Sequence, residues 1–169
     1  MDNSGSSPDT VDPGVARFEA AAETAGIDYE LVDAGSHTLT VSQAAAVLGV
    51  DPDQVIKTLL FHDARGGFVI AIANGLNRVD PSLLADRAGF GPLKLAKPRI
   101  VLERLGYPAG GVPPIGLPAD IPVVVDTGAA ALHRCVGGAG SVAHLAHFAM
   151  ADILRANSPT VASITAKEP

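Results

Sequence analysis

The sequence predicts a mostly antiparallel α+β domain. Three observations carry this. Strand-like and helical stretches are mixed without the regular alternation of a parallel βαβ fold. VIKTLLFHD (55–63) and FVIAIA (68–73) are two apolar runs joined by the glycine-bearing ARGG, which is the pattern of an antiparallel hairpin. Glycines and prolines also punctuate the helical stretches at the positions where helices stop and start. With 169 residues, the chain is long enough for one substantial core.

In order along the chain, residues 1–13 are rich in Ser, Asp, Gly and Pro and read as a disordered tail with almost nothing to bury. VARFEAAAETAG (15–26) has apolar residues at helical spacing and stops on Gly26. YELVDA is a short strand. Thr40 suits the N-cap of VSQAAAVLG, which Gly49 closes. DPDQ turns the chain into the hairpin. VDPSLLADRAG and PRIVLERLG are helices with Pro81 and Pro98 in their first turns. YPAGGVPPIGLPADIP is so dense in Pro and Gly that it reads as a shaped loop. IPVVVD is a strand and GAAALH a short helix or turn. RCVGG and VAHLAHF are further strands, and FAMADILRAN is a final helix. SPTVASITAKEP reads as a frayed tail, so the expected domain covers 14–157, flanked by tails 1–13 and 158–169.

Composition narrows the function. No apolar run is long enough to span a bilayer, which argues against a membrane protein. The acidic, polar N-terminus has no basic start and no apolar stretch, so the sequence reads as cytoplasmic. Cys135 is the single cysteine and has no internal partner, in keeping with a reducing compartment. A net charge of −6 disfavours broad binding to DNA or other nucleic acid, while leaving room for a local basic patch such as Lys94, Lys97 and Arg99. Scarce aromatics and the absence of tryptophan disfavour a base-stacking platform.

Three motifs are weighed and set aside. GAGSVA (138–143) fits G-x-G-x-x-A, but too little chain follows for a second strand, and Asp152 comes too early for the ribose-binding acid. Ser141 lacks the flanking glycines of a hydrolase elbow. His133, His144 and His147, with Asp152, lack recognised metal-ligand spacing, so no metal is expected. Cys135 lies in an apolar context that suits a buried structural thiol.

Two features resist a bland reading. Lys57 sits in the middle of VIKTLLF, sharing a strand face with Val55, Leu59 and Phe61. An ammonium there either snorkels to water at the sheet edge or points into a cleft that receives a polar ligand. The loop GYPAGGVPPIG (106–116) combines glycines, which let a ligand approach the main chain, with prolines, which stiffen it. Such a loop is either a structural turn or a rigid set of N–H donors for a carbonyl or oxyanion.

VDPDQVIKTLLF, followed by GYPAGGVPPIG and IPVVVD, resembles the YbaK family of aminoacyl-tRNA deacylases. This is the trans-editing domain also found inserted in bacterial prolyl-tRNA synthetases. The likeness runs from about residue 15 to 156. It is most specific in TVSQAAAVLGV, in the strand with Lys57 and Thr58, in the G-x-x-P loop Gly111–Val112–Pro113–Pro114 closed by Gly116, and in NRVDPSLLA. The resemblance implies a compact α+β domain with a curved, barrel-like sheet. It implies a site in which Lys57 and Gly111 are catalytic and Thr58, Val112, Pro113, Pro114 and Gly116 bind substrate. Lys57 would position the terminal adenosine or stabilise negative charge, and the main chain at Gly111 and Val112 would orient the carbonyl and water. The expected substrate is a small mischarged amino acid, Ala or Cys, on tRNA-Pro. Neither cofactor nor covalent nucleophile is needed, because the ester is already activated and the terminal ribose hydroxyl can assist. The implied partners are aminoacyl-tRNA and an aminoacyl-tRNA synthetase, with no DNA and no membrane. Many members carry two basic residues in the last strand region, where this chain has Ser141 and Val142. That difference keeps open an alternative, a non-catalytic module binding a tRNA end, a nucleotide or a synthetase through the same cleft.

Overall fold

The computed structural model describes residues 12–35 and 40–166. Helix α1 (Pro13–Ala25) opens where the Asp12 carboxylate accepts the N–H groups of Gly14 and Val15, and it ends at Gly26, whose φ of 66° is left-handed. Asp12 and Pro13 therefore belong to the folded domain and not to a tail, while residues 1–11 lie outside the described residues. Strand β1 (Glu30–Asp33) leads to α2 (Val41–Leu48), whose start is a reciprocal capping box between Thr40 and Gln43. A 3-10 turn (Pro52–Gln54) then delivers β2 (Ile56–His62), which pairs antiparallel with β3 (Phe68–Asn74) and sets Lys57 opposite Ala73. The hairpin turn is tied by the Asp63 carboxylate, which accepts the N–H groups of Arg65 and Gly67.

The chain continues through β4 (Arg78–Val79), α3 (Pro81–Ala88), β5 (Lys94–Leu95) and α4 (Pro98–Leu105). After the Pro/Gly-rich loop come β6 (Val123–Asp126), α5 (Thr127–Ala130), β7 (Arg134–Gly138), β8 (His144–Ala149) and α6 (Met150–Asn157). The last elements are β9 (Thr160–Ala162) and β10 (Thr165–Ala166). The strands form a five-stranded sheet of order β5-β2-β3-β6-β9, a three-stranded sheet β1-β8-β7 and the pair β4-β10. The expected α+β class holds, and most ladders are antiparallel. The exceptions are β6 with β3 and β9 with β6, which run parallel. A bridge between Val55 and Val136 joins the two larger sheets at one corner, and the strands do not close into a barrel.

The central sheet is covered on both faces. Ile56, Leu60, Ile70, Ile72, Val123 and Val125 pack into one core with α1, α4, α6 and β8. Phe61, Val69, Ala71, Ala73 and Val124 pack into a second with Leu84 of α3 and Ile164. This is why β2 and β3 are apolar on both sides, and it explains why residue alternation alone does not locate the solvent face. Among the described residues no helix is long and apolar enough to cross a membrane.

The C-terminal stretch departs from expectation. Read as a frayed tail, residues 158–166 instead supply β9 and β10, and Ile164 is fully buried. The anchor is Asp126, itself buried. One carboxylate oxygen accepts the Ile164 N–H at 3.0 Å and the Thr165 hydroxyl at 3.4 Å, and the other accepts the Gly128 N–H at 3.0 Å. Three donors on one carboxylate meet the cost of burying it. Strands this short draw their stability from distant partners, which a local reading cannot see.

Candidate active site

A cavity of about 190 Å³ lies between the start of β2, the first turn of α2, the glycine loop and the end of β7. Helix α2 contributes Thr40, Val41 and Ala44, and the entry to β2 contributes Val55 through Leu59. Gly110 and Val112 form the loop side, and Gly138, Val142 and Leu145 the remaining wall, with Ala34 at its edge. The lining is mainly apolar, and among the described residues Lys57 is its one charged side chain.

Lys57 is half-buried. Burial, and secondarily the positive charge of Arg78, lower its pKa from the usual lysine range. The ion pairs among the described residues are Arg87–Asp86, His144–Asp33 and Arg155–Asp152, so Lys57 has no acidic partner there. A partly desolvated, uncompensated amine facing an apolar cavity is a group set up to meet an external anion or dipole.

The glycine loop is shaped by close packing. A Cβ on Gly111 would lie 2.7 Å from the Ser141 carbonyl carbon and 2.9 Å from its oxygen, so only glycine fits against that turn. The Gly111 N–H donates to Pro108 O at 2.9 Å, and Gly111 O accepts the Gly140 N–H at 2.9 Å. Both main-chain groups of Gly111 are thus engaged within the protein. The N–H groups of Gly110 and Val112, on either side, have no backbone acceptor among the described residues, and both residues line the cavity.

The structure therefore brings Lys57, Thr58 and Val112 to one cavity, with Gly111 directly behind its wall. Pro113 and Pro114 are buried beneath the loop, where Pro114 O accepts a hydrogen bond from the Asn157 side chain at 2.7 Å. They stiffen the loop and tie it to α6. Gly116 lies elsewhere, exposed, with a φ of 69° and packed against Ala21 of α1. Sequence reasoning missed Thr40, Val41, Ala44, Val142 and Leu145 as cavity walls. The capping signal at Thr40 marked a helix start but carried no information about where that helix docks.

The discarded motifs are accounted for as well. GAGSVA spans the end of β7 and its connection to antiparallel β8, not a strand-to-helix turn. His144 and His147 are three residues apart on β8 and so point to opposite faces. No cluster of three or more metal-type side chains occurs among the described residues. Cys135 is buried in the core, and desolvation pushes its thiol up to about 12. Lys94, Lys97 and Arg99 are exposed, and β5 pairs with Phe61 and His62, the end of β2 away from Lys57.

Comparison with known proteins bears on the family and the fold. The chain is 32% identical over 100 residues to the proline–tRNA ligase of Lysinibacillus sphaericus, covering 59% of this chain and 17% of the ligase. It is 36% identical over 100 residues to that of Moorella thermoacetica, covering 59% and 17%. The chain thus spans less than a fifth of the length of these relatives. Among solved structures, a candidate trans-editing enzyme for prolyl tRNA synthetase superimposes with a TM-score of 0.84 at 27% identity, over 94% of this chain and 100% of that one. A hypothetical protein superimposes with a TM-score of 0.80 at 33% identity, over 89% and 99%. The family model for the aminoacyl-tRNA editing domain matches residues 35–156. Every residue lining the cavity except Ala34 falls within that span, and the chain belongs to the aminoacyl-tRNA editing domain family, whose reaction is the deacylation of aminoacyl-tRNA.

Proposed function

We propose that the chain hydrolyses the ester of a small mischarged amino acid, alanine or cysteine, on tRNA-Pro, and that the cavity around Lys57 holds the aminoacyl end. The observation that carries this reading is the Lys57 amine in a small apolar cavity, beside the Gly110 and Val112 amides, with no acidic partner for the amine and no backbone acceptor for the amides among the described residues. The apolar walls suit a small side chain. In this reading the two amides donate to the carbonyl oxygen as it gains charge. Lys57 supplies positive charge to the terminal nucleotide or to that oxygen. Water adds to the acyl carbon, the bond to the ribose oxygen breaks, and that oxygen leaves as a hydroxyl carrying a water proton. Gly111 acts by fixing the loop, since its own N–H is already donated to Pro108.

A deacylation panel tests this. Purified protein is offered tRNA-Pro charged with alanine, cysteine or proline, and alanine on a second tRNA. Faster release of alanine or cysteine than of proline is expected, and the absence of hydrolysis with every substrate would overturn the proposal.

Binding of tRNA should be weak and only mildly salt-dependent. The slope of affinity against salt counts the phosphates neutralised, and the chain is net acidic at −6. We place the few phosphate contacts at exposed Lys94, Lys97 and Arg99. Replacing all three with alanine should flatten the slope, as read by a titration from low to physiological salt. A steep slope equivalent to about six contacts or more would reveal a basic surface that this reading lacks.

A further inference from the structure

The turn after β7 is built in a way that the proposed chemistry does not use. The Ser141 hydroxyl accepts the Ala143 N–H at 3.1 Å and is hydrogen-bonded to His144 Nδ1 at 2.7 Å. Ser141 is only 8% exposed, so this clasp is internal. The same turn is joined to the glycine loop by the Gly140 N–H to Gly111 O bond and by the packing of Ser141 main chain onto Gly111. Loop and turn are therefore one continuous wall. Its projecting side chain is Val142, which lines the cavity while remaining 43% exposed. Its Cγ1 lies 3.8 Å from where a Cβ on Gly110 would sit, so it stands next to one of the two residues with unbonded amides.

An apolar side chain held by a fixed turn beside the amides proposed above to bind the carbonyl is in a position to contact the substituent of the acyl group. We propose that Val142 is the residue that limits the size of the amino acid side chain admitted, and that Ser141 is a positioning residue that holds Val142 in place. This inference rests on the function proposed above and assigns its selectivity to one wall. A pocket separates side chains differing by one methylene by about 10- to 200-fold. Cutting Val142 back to alanine removes two methyl groups from the wall.

The test is Val142→Ala, Ser141→Ala and Ser141→Thr, each assayed on one tRNA charged with alanine, valine or leucine, with thermal unfolding recorded in parallel. Val47, 59% exposed and absent from the cavity lining, supplies the control Val47→Ala. For Val142→Ala, the ratio of kcat/KM for the leucyl or valyl ester to that for the alanyl ester should rise by about tenfold or more. Ser141→Ala should raise the same ratio, and Ser141→Thr, which keeps the hydroxyl, should restore it towards wild type. The control should leave it unmoved. A folded Val142→Ala protein with the wild-type ratio would overturn the assignment while leaving the deacylase reading intact. A wild-type protein inert on every ester would overturn both. If Ser141→Ala lowers the melting temperature and leaves the ratio unchanged, the clasp is structural only and the positioning role falls.

Discussion

Lys57→Ala is expected to lower deacylation by about 10²- to 10³-fold, the loss seen when one preorganised charge-stabilising group is removed, with the fold intact. The catalytic half of this expectation follows from placement. Among the described residues, Lys57 is the single charged side chain of the cavity and no acid pairs with it. The folding half follows from linkage. Because burial and Arg78 lower the Lys57 pKa, the unfolded chain holds the proton more tightly than the native one. At neutral pH and below, the charged lysine therefore disfavours folding, and that cost is relieved as pH rises toward the ordinary lysine range. Removing it should leave the midpoint of urea unfolding unchanged or slightly higher. A variant that hydrolyses its ester at the wild-type rate would make Lys57 a snorkelling residue and would remove it from the mechanism.

Gly111→Val should be the most damaging change in the glycine loop. Its Cβ would enter the space occupied by the Ser141 main chain, at 2.7–3.0 Å from three backbone atoms. Backbone cannot swing aside as a side chain can. The loop or the turn must move, and with it Val112 and Val142 on the cavity wall. A destabilisation of about 1–3 kcal/mol, typical of overpacking, should accompany a loss of activity well beyond what the unfolded fraction explains. Gly91→Val is the matched comparison, because nothing lies within 4 Å of a Cβ there. Urea unfolding and single-turnover hydrolysis of both variants would decide the matter. Equal rates in two folded proteins would take the loop out of the site.

The legible part of this protein was the part written in short-range signals. The cap at Thr40, the first-turn prolines Pro81 and Pro98, the glycine stops, and the β2-β3 hairpin all stand where local chemistry puts them. The lysine of β2 stood out in its apolar strand, but that strand alone left open whether it snorkels to water or enters a cleft, and the structure sets it in the cavity lining. What could not be read depends on partners far along the chain. β6 pairs with β3 across a separation of some fifty residues, and β9 needs β6 before it is a strand at all. The glycine loop was half legible. Its composition marked it as shaped, but only the structure separates Val112 and Gly110, which face the cavity, from Gly116, which packs on α1. Pattern recognition supplied the residue types, and tertiary packing decided which of them meet.

The strap formed by residues 160–166 bears on the protein's behaviour in a concentrated solution. Strand β6 is Val123, Val124, Val125 and Asp126, buried along its whole length, and β9 covers its outer side. A chain cut after α6 would uncover that side, leaving an unpaired row of N–H and C=O groups along Val124, Val125 and Asp126. Such an edge is a template for strands from other molecules. It would also strand the Asp126 carboxylate without the Ile164 and Thr165 donors. The short C-terminal strands thus act as a guard against self-association, and any fusion or truncation should leave residues through 166 in place.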